Sequence, residues 1–136
     1  KKKMFNIIRI KSKKRVDAIE ITDYVRNIIK SFGVKDGICI LYVPHTTAGI
    51  IINENADPNV IEDILDRLSE FAKENLNYKH LEGNADSHIK SSITSSSVNL
   101  IIENGELMLG TWQGVFFLEF DGPRERKIYC KILKDG

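Results

Sequence analysis

Histidine stands at His45, His80 and His88, and imidazole is the side chain that both titrates near neutrality and commonly ligates transition metals. Each lies in a loop-like stretch rather than on an apolar helix face: His45 within Pro44-His45-Thr46-Thr47, the other two within a run rich in Asn, Ser, Gly and Asp. Their spacing matches no helical metal motif such as two histidines four apart. A divalent metal, with zinc the first candidate, and acid–base chemistry therefore both stay open. Carboxylates accompany the rings, Glu54 in Asn53-Glu54-Asn55 and Asp86 in Asn84-Ala85-Asp86. Either would orient an imidazole, ligate a metal or accept a proton, while Asp86 equally suits the cap of a short helix beginning near Ser87. A helix start also aims free amides at an anion. Lys90, Ser91 and Ser92 just beyond it add a cation and hydroxyls of the kind a phosphate or carboxylate wants, although the serines up to Ser97 also fit a solvated loop. In Gly110-Thr111-Trp112-Gln113-Gly114 the lone tryptophan either anchors the core or stacks on a heterocyclic ligand. Arg124, in the turn Asp121-Gly122-Pro123-Arg124, is either an anion clamp or a solvated turn residue.

The elements between these loops must position them. Residues 4–10 and 15–22 alternate as strands around Lys11-Ser12-Lys13-Lys14, which predicts an opening β-hairpin with solvated lysines at its turn. From Thr22, a residue suited to capping, Val25, Ile28, Ile29 and Phe32 fall at helical spacing before Gly33. Two apolar runs, residues 37–43 and 48–52, then flank His45. Asp57-Pro58 is a strong helix start, since aspartate accepts from free amides and proline suits the first helical position. Ile61, Ile64, Leu65, Leu68, Phe71 and Ala72 keep one face of that helix apolar, with Glu62, Asp63, Arg67 and Glu70 on the other. Between Asn75 and Ser97 only one short helix, residues 86–93, is expected, and so long a polar segment points to function. Strands over 98–102, 107–109, 114–120 and 127–133, with a turn at Asn104-Gly105, complete the chain.

This is the pattern of one α+β domain over residues 1–136. A chain of 136 residues with 42% apolar content can bury a core without disulfides. Twenty Lys plus Arg against 19 Asp plus Glu leave no overall field to draw in nucleic acid or an anionic membrane, so any anion site must be local. No stretch reaches the ~18 apolar residues of a membrane span, and a cytoplasmic location is expected. Cys39 and Cys130 sit in strand-type runs without metal-ligand spacing, which predicts buried free thiols.

Taken in order, His45-Thr46-Thr47-Ala48, Asn53-Glu54-Asn55 with Asp57-Pro58, the segment from Tyr78 through His80 to Gly83-Asn84-Ala85-Asp86-Ser87-His88-Ile89-Lys90-Ser91-Ser92, and Gly110-Thr111-Trp112-Gln113 resemble the YjbQ-like family. The resemblance spans nearly the whole chain. It implies a β-sandwich with two main helices and one short one, assembled as a homotrimer with sites where subunits meet. It also implies a secondary thiamine-phosphate synthase activity, joining a pyrimidine pyrophosphate to a thiazole phosphate. Carried over motif by motif, it marks His45, His80, His88, Glu54 and Asp86 as catalytic, with the histidines as possible metal ligands. Thr46, Asn84, Lys90, Ser91, Ser92, Trp112 and Gln113 are marked as ligand contacts. Dedicated synthases of this kind are (β/α)8 barrels of about 250 residues, for which this chain is too short. A non-catalytic trimer binding a metal or phosphorylated ligand, and a metal-dependent hydrolase, use the same residues and are the competing expectations.

Overall fold

The computed structural model describes residues 3–136. In chain order the elements are β1 Phe5–Lys11, β2 Asp17–Glu20, α1 Thr22–Phe32, β3 Gly37–Tyr42, β4 Ala48–Glu54, α2 Pro58–Phe71, α3 Ala85–Ile93, β5 Ser97–Glu103, β6 Glu106–Leu107, β7 Gln113–Glu119 and β8 Glu125–Lys134. The strands form two antiparallel sheets, one ordered β1-β8-β3-β5-β6 and the other β2-β7-β4. Side chains alternate along a strand, so Ile8 and Ile10 of β1, Cys39 and Leu41 of β3, and Ile128 and Ile132 of β8 share the inner face of the larger sheet. They meet Ile50, Val115 and Phe117 of the smaller sheet in one core. The unbroken apolar run in β7 has a physical reason: the strand is covered on both sides. Val115 and Phe117 enter the main core, while Phe116 and Leu118 turn the other way and pack with Ile61, Leu65 and Leu68 of α2.

The α+β expectation and the order of elements hold, with four corrections. There is no opening hairpin: β1 pairs with β8 and β2 with β7, in different sheets. Thr22 does not cap α1, because its hydroxyl donates to Glu20 Oε2 and accepts from the Val115 amide. A cap is worth about 1 kcal/mol, whereas burying Val25, Ile28 and Ile29 is worth roughly 1.5–3 kcal/mol each, so packing defines this helix. Phe71, assigned to the buried face of α2, is 70% exposed at the helix end. Trp112 is no core anchor, being 63% exposed. Other expectations stand: Asp57 accepts from the Asn59 amide at 2.9 Å, Gly33 closes α1 at φ 66°, and Cys39 and Cys130 are buried and free.

Several connections cross from one sheet to the other, among them residues 12–16, residues 43–47 and residues 120–124. These three converge on a buried ion pair. Arg126 Nε donates to Glu119 Oε1 at 2.8 Å, and its Nη2 bonds Glu119 Oε2 as well as Thr47 Oγ1 at 2.8 Å. Ser12 Oγ donates to Glu119 Oε1 at 2.7 Å, and the Asp121 amide to Glu119 Oε2 at 3.0 Å. Burial opposes charge on Glu119, but these donors, Arg126 foremost, outweigh it and hold the carboxyl below its ordinary range. Each of these three crossovers thus contributes one group to the buried pair, which fixes the loop carrying His45.

Candidate functional site around His45

Beyond the last β3–β8 pair, Tyr42 opposite Tyr129, the next amide on β8 that faces the β3 side belongs to Lys127. The chain has left the sheet there, and His45 Nε2 takes the place of a backbone carbonyl, accepting from Lys127 N at 2.9 Å. That bond requires Nε2 to be unprotonated, so the neutral ring carries its proton on Nδ1. Burial first, and then the neighbouring Arg126 guanidinium, lower the His45 pKa below its ordinary value. The ring is therefore a neutral donor near pH 7, held by β8.

His45 forms part of the wall of two cavities. One, of about 580 Å³, is also bordered by Thr46, His88, Ser91 and Ser92, and by residues 94–96. The other, of about 500 Å³, opens toward β1 and includes Arg9, Lys11, Tyr24 and Lys127. His80 touches His88 edge to face, with ring centroids 5.1 Å apart, but does not border either cavity. His80 and His88 are thus in contact, while His45 and His88 share a cavity wall.

Helix α3 presents His88. It docks on β4 at Gly49, where a Cβ would run into Thr94 Oγ1, and Ser91 Oγ donates to Ala48 O at 2.7 Å. Asp86 is fully buried in its first turn: Arg15 grips both carboxylate oxygens at 3.0 and 3.1 Å, and Lys90 Nζ binds Oδ2 at 3.0 Å. Burial raises the Asp86 pKa, but Arg15 and Lys90 overcome that and hold it below the usual range. Lys90 is 2% exposed, so neither it nor Asp86 reaches a ligand in the 580 Å³ cavity. Lys90, expected as a ligand contact, borders instead a separate cavity of about 540 Å³ with Arg15 and Glu74, and Asp86, expected as catalytic, anchors the helix. The serines are also largely engaged: Ser92 Oγ donates to His88 O, as Ser91 does to Ala48 O. The side-chain donors left to a ligand there are those of His45, Thr46, His88 and Ser96.

The remaining motif residues lie elsewhere within one copy. Glu54 is opposite Gln113 at the end of β4 remote from His45, six residues from Ala48 and hence about 20 Å along the strand. Trp112, Gln113 and Glu54 group together there, with Gln113 Oε1 accepting from the Gly110 amide. Asn84 Nδ2 donates to Asp121 Oδ2 at 2.9 Å, and Arg124 pairs with the same carboxylate at 3.0 Å, which makes Arg124 a turn residue.

Among the described residues no group of three or more His, Cys, Asp or Glu side chains is placed to hold a metal ion. His45 has one nitrogen occupied as acceptor and the other protonated, so the ring as placed offers a metal no lone pair. The zinc expectation therefore does not fit the residues of one copy. What sequence reasoning missed is the support: Arg15 under Asp86, the Glu119–Arg126 pair and the Lys127 amide. Arg126 was visible in principle, since it keeps inward phase with Ile128, Cys130 and Ile132 in β8. Arg15, 71 residues from its partner, carries no such local signal.

Comparison with known proteins places the arrangement. The family model described as UPF0047 protein YjbQ-like matches residues 6–135. UPF0047 protein MJ1081 of Methanocaldococcus jannaschii is 54% identical over 98% of this chain and 96% of its own length, and UPF0047 protein YugU of Bacillus subtilis is 47% identical over 96% and 99%. The crystal structure of an uncharacterised YjbQ/UPF0047 protein from Clostridium acetobutylicum superposes with a TM-score of 0.92 at 49% identity, covering 94% of this chain and 99% of that one. A protein of unknown function from Sulfolobus solfataricus does so with a TM-score of 0.92 at 35% identity, covering 96% of each. The chain belongs to the YjbQ-like UPF0047 family.

Proposed function

We propose that the chain acts on a small phosphorylated molecule at His45, and that the reaction is condensation of a hydroxymethylpyrimidine pyrophosphate with a thiazole phosphate. The observation carrying this reading is one neutral, β8-anchored imidazole in the common wall of two cavities, as two substrates meeting at one reacting bond require. In the reaction the thiazole ring nitrogen attacks the pyrimidine methylene carbon. The C–N bond forms as the C–O bond to pyrophosphate breaks, and the electron pair leaves on pyrophosphate. No proton is released in forming the thiazolium. The catalytic need is stabilisation of charge on the leaving oxygen, which donors aimed at it supply. The His45 Nδ1–H is such a donor.

The test is direct: incubate the two substrates with the protein and follow thiamine phosphate by chromatography and pyrophosphate by a coupled assay. The expected result is formation of both in equal amounts, with His45→Gln slower by about 10²–10³, the usual loss for one such donor. A protein that forms neither overturns the reading.

We also propose self-association as a homotrimer. Supporting it, the outer face of the larger sheet carries an apolar row, Ile38, Tyr42, Ile101 and Leu133, each 43–58% exposed, with Ile38 opposite both Ile101 and Leu133. Contiguous exposed apolar surface of this kind marks association sites.

A further inference from the structure

The burial of Lys90 leaves the 580 Å³ cavity without a cation, although its ligand would be anionic. The cations lie across His45. Arg9 and Lys11, two apart on β1, share its outer face, and Lys127 stands opposite Arg9 in the β1–β8 ladder. All three are exposed, and among the described residues none makes an ion pair with a carboxylate. Glu125, opposite Lys11, is the single carboxylate bordering that 500 Å³ cavity. Arg126 also borders it, but its charge is met by Glu119. The chain as a whole is near neutral, so this concentration of unpaired positive charge beside the His45 ring is a local feature, built by strand register.

We infer that the cavity bordered by the paired strands β1 and β8 is a diphosphate subsite, in which Arg9, Lys11 and Lys127 hold the charged oxygens next to His45. The three cations exceed the one carboxylate by enough to favour a multiply charged group over a monoanion. Arginine contributes a planar fork matched to phosphate oxygens, and the lysines contribute mobile point charges. Tyr24, half exposed on α1, adds a phenolic donor at the rim. The inference rests on the functional reading above and refines it: the substrate bearing the pyrophosphate occupies the β1 side, and the second substrate approaches His45 from the side of Thr46 and His88.

Calorimetric titration of the untagged protein with inorganic pyrophosphate, in chelator and low salt, tests this apart from turnover. Saturable binding is expected, weakened at least tenfold in the Arg9→Gln/Lys11→Gln double variant and less than threefold in Ser91→Ala/Ser92→Ala. Because Arg9 and Lys11 are exposed, these substitutions leave the core intact, which thermal melting verifies. Lys127→Gln, on a different strand, should weaken binding independently. Absence of saturable binding, unchanged binding in the charge variants, or an equal loss in the serine variant overturns the subsite. Failure to form thiamine phosphate, with charge-dependent pyrophosphate binding intact, rejects the condensation and leaves the subsite standing.

Discussion

Which nitrogen of His45 carries the proton decides what the ring offers a ligand. The Lys127 amide fixes this from the backbone, independently of any substrate. Nitrogen NMR of labelled protein should therefore find the neutral tautomer protonated on Nδ1, and a titration midpoint below the ordinary histidine value of about 6.5. The sign for stability follows. With the folded pKa lowered, the unfolded chain takes up the proton first as pH falls, so this contribution is complete above about pH 6.5 and is lost as pH drops through the folded value. Activity that depends on the neutral ring should fall over the same lower range. A ring protonated on Nε2 at neutral pH, or titrating above 6.5, contradicts the proposed donor. The sequence grouped this residue with His80 and His88, of which His88 borders the same cavity and His80 does not. It could not reveal that Lys90 is spent on Asp86, although the four-residue spacing was a cue: such pairs lie side by side on a helix, but only Arg15, far off in the chain, completes the burial.

At the level of elements, periodicity located nearly every strand and helix yet assigned β1 and β2 to a hairpin. Alternation reports which face of a strand is buried and is silent about its partner. Here the partners are set where the chain changes sheets, and those crossings are fastened by Glu119 and Arg126. Arg126→Leu should consequently reduce the unfolding free energy by about 3–5 kcal/mol, the cost of leaving one member of a buried pair uncompensated, as read from urea denaturation. Much of the loss should return in Glu119→Leu/Arg126→Leu, where no buried charge remains. A single-variant effect below about 1 kcal/mol would mean that the crossovers hold without this pair. The same variant should disturb His45, since Arg126 bonds the Thr47 hydroxyl and the adjacent Lys127 amide bonds the ring.

For the molecule as a whole, nearly balanced charge permits like copies to approach without strong repulsion, and the apolar row on the larger sheet supplies a reason to stay together. Sequence patterning exposed the inner, alternating face of that sheet but not the outer one, because residues such as Ile38 and Ile101 read as ordinary strand residues until their partners are known. If the proposed trimer uses this face, sedimentation should give three times the 15.5 kDa chain mass, and Ile101→Lys should sediment as a monomer with an unchanged circular dichroism spectrum. Wild-type protein sedimenting as a monomer removes the trimer; an Ile101→Lys trimer moves the interface elsewhere. Assembly also bears on chemistry. Glu54, paired with Gln113, is about 20 Å along β4 from Ala48 within one copy, at the strand end away from the His45 loop, so a neighbouring copy is needed to bring that group beside the imidazole. Should the site be completed in this way, the monomeric variant keeps the His45 tautomer and its lowered titration while losing turnover, a separation that simple unfolding cannot produce.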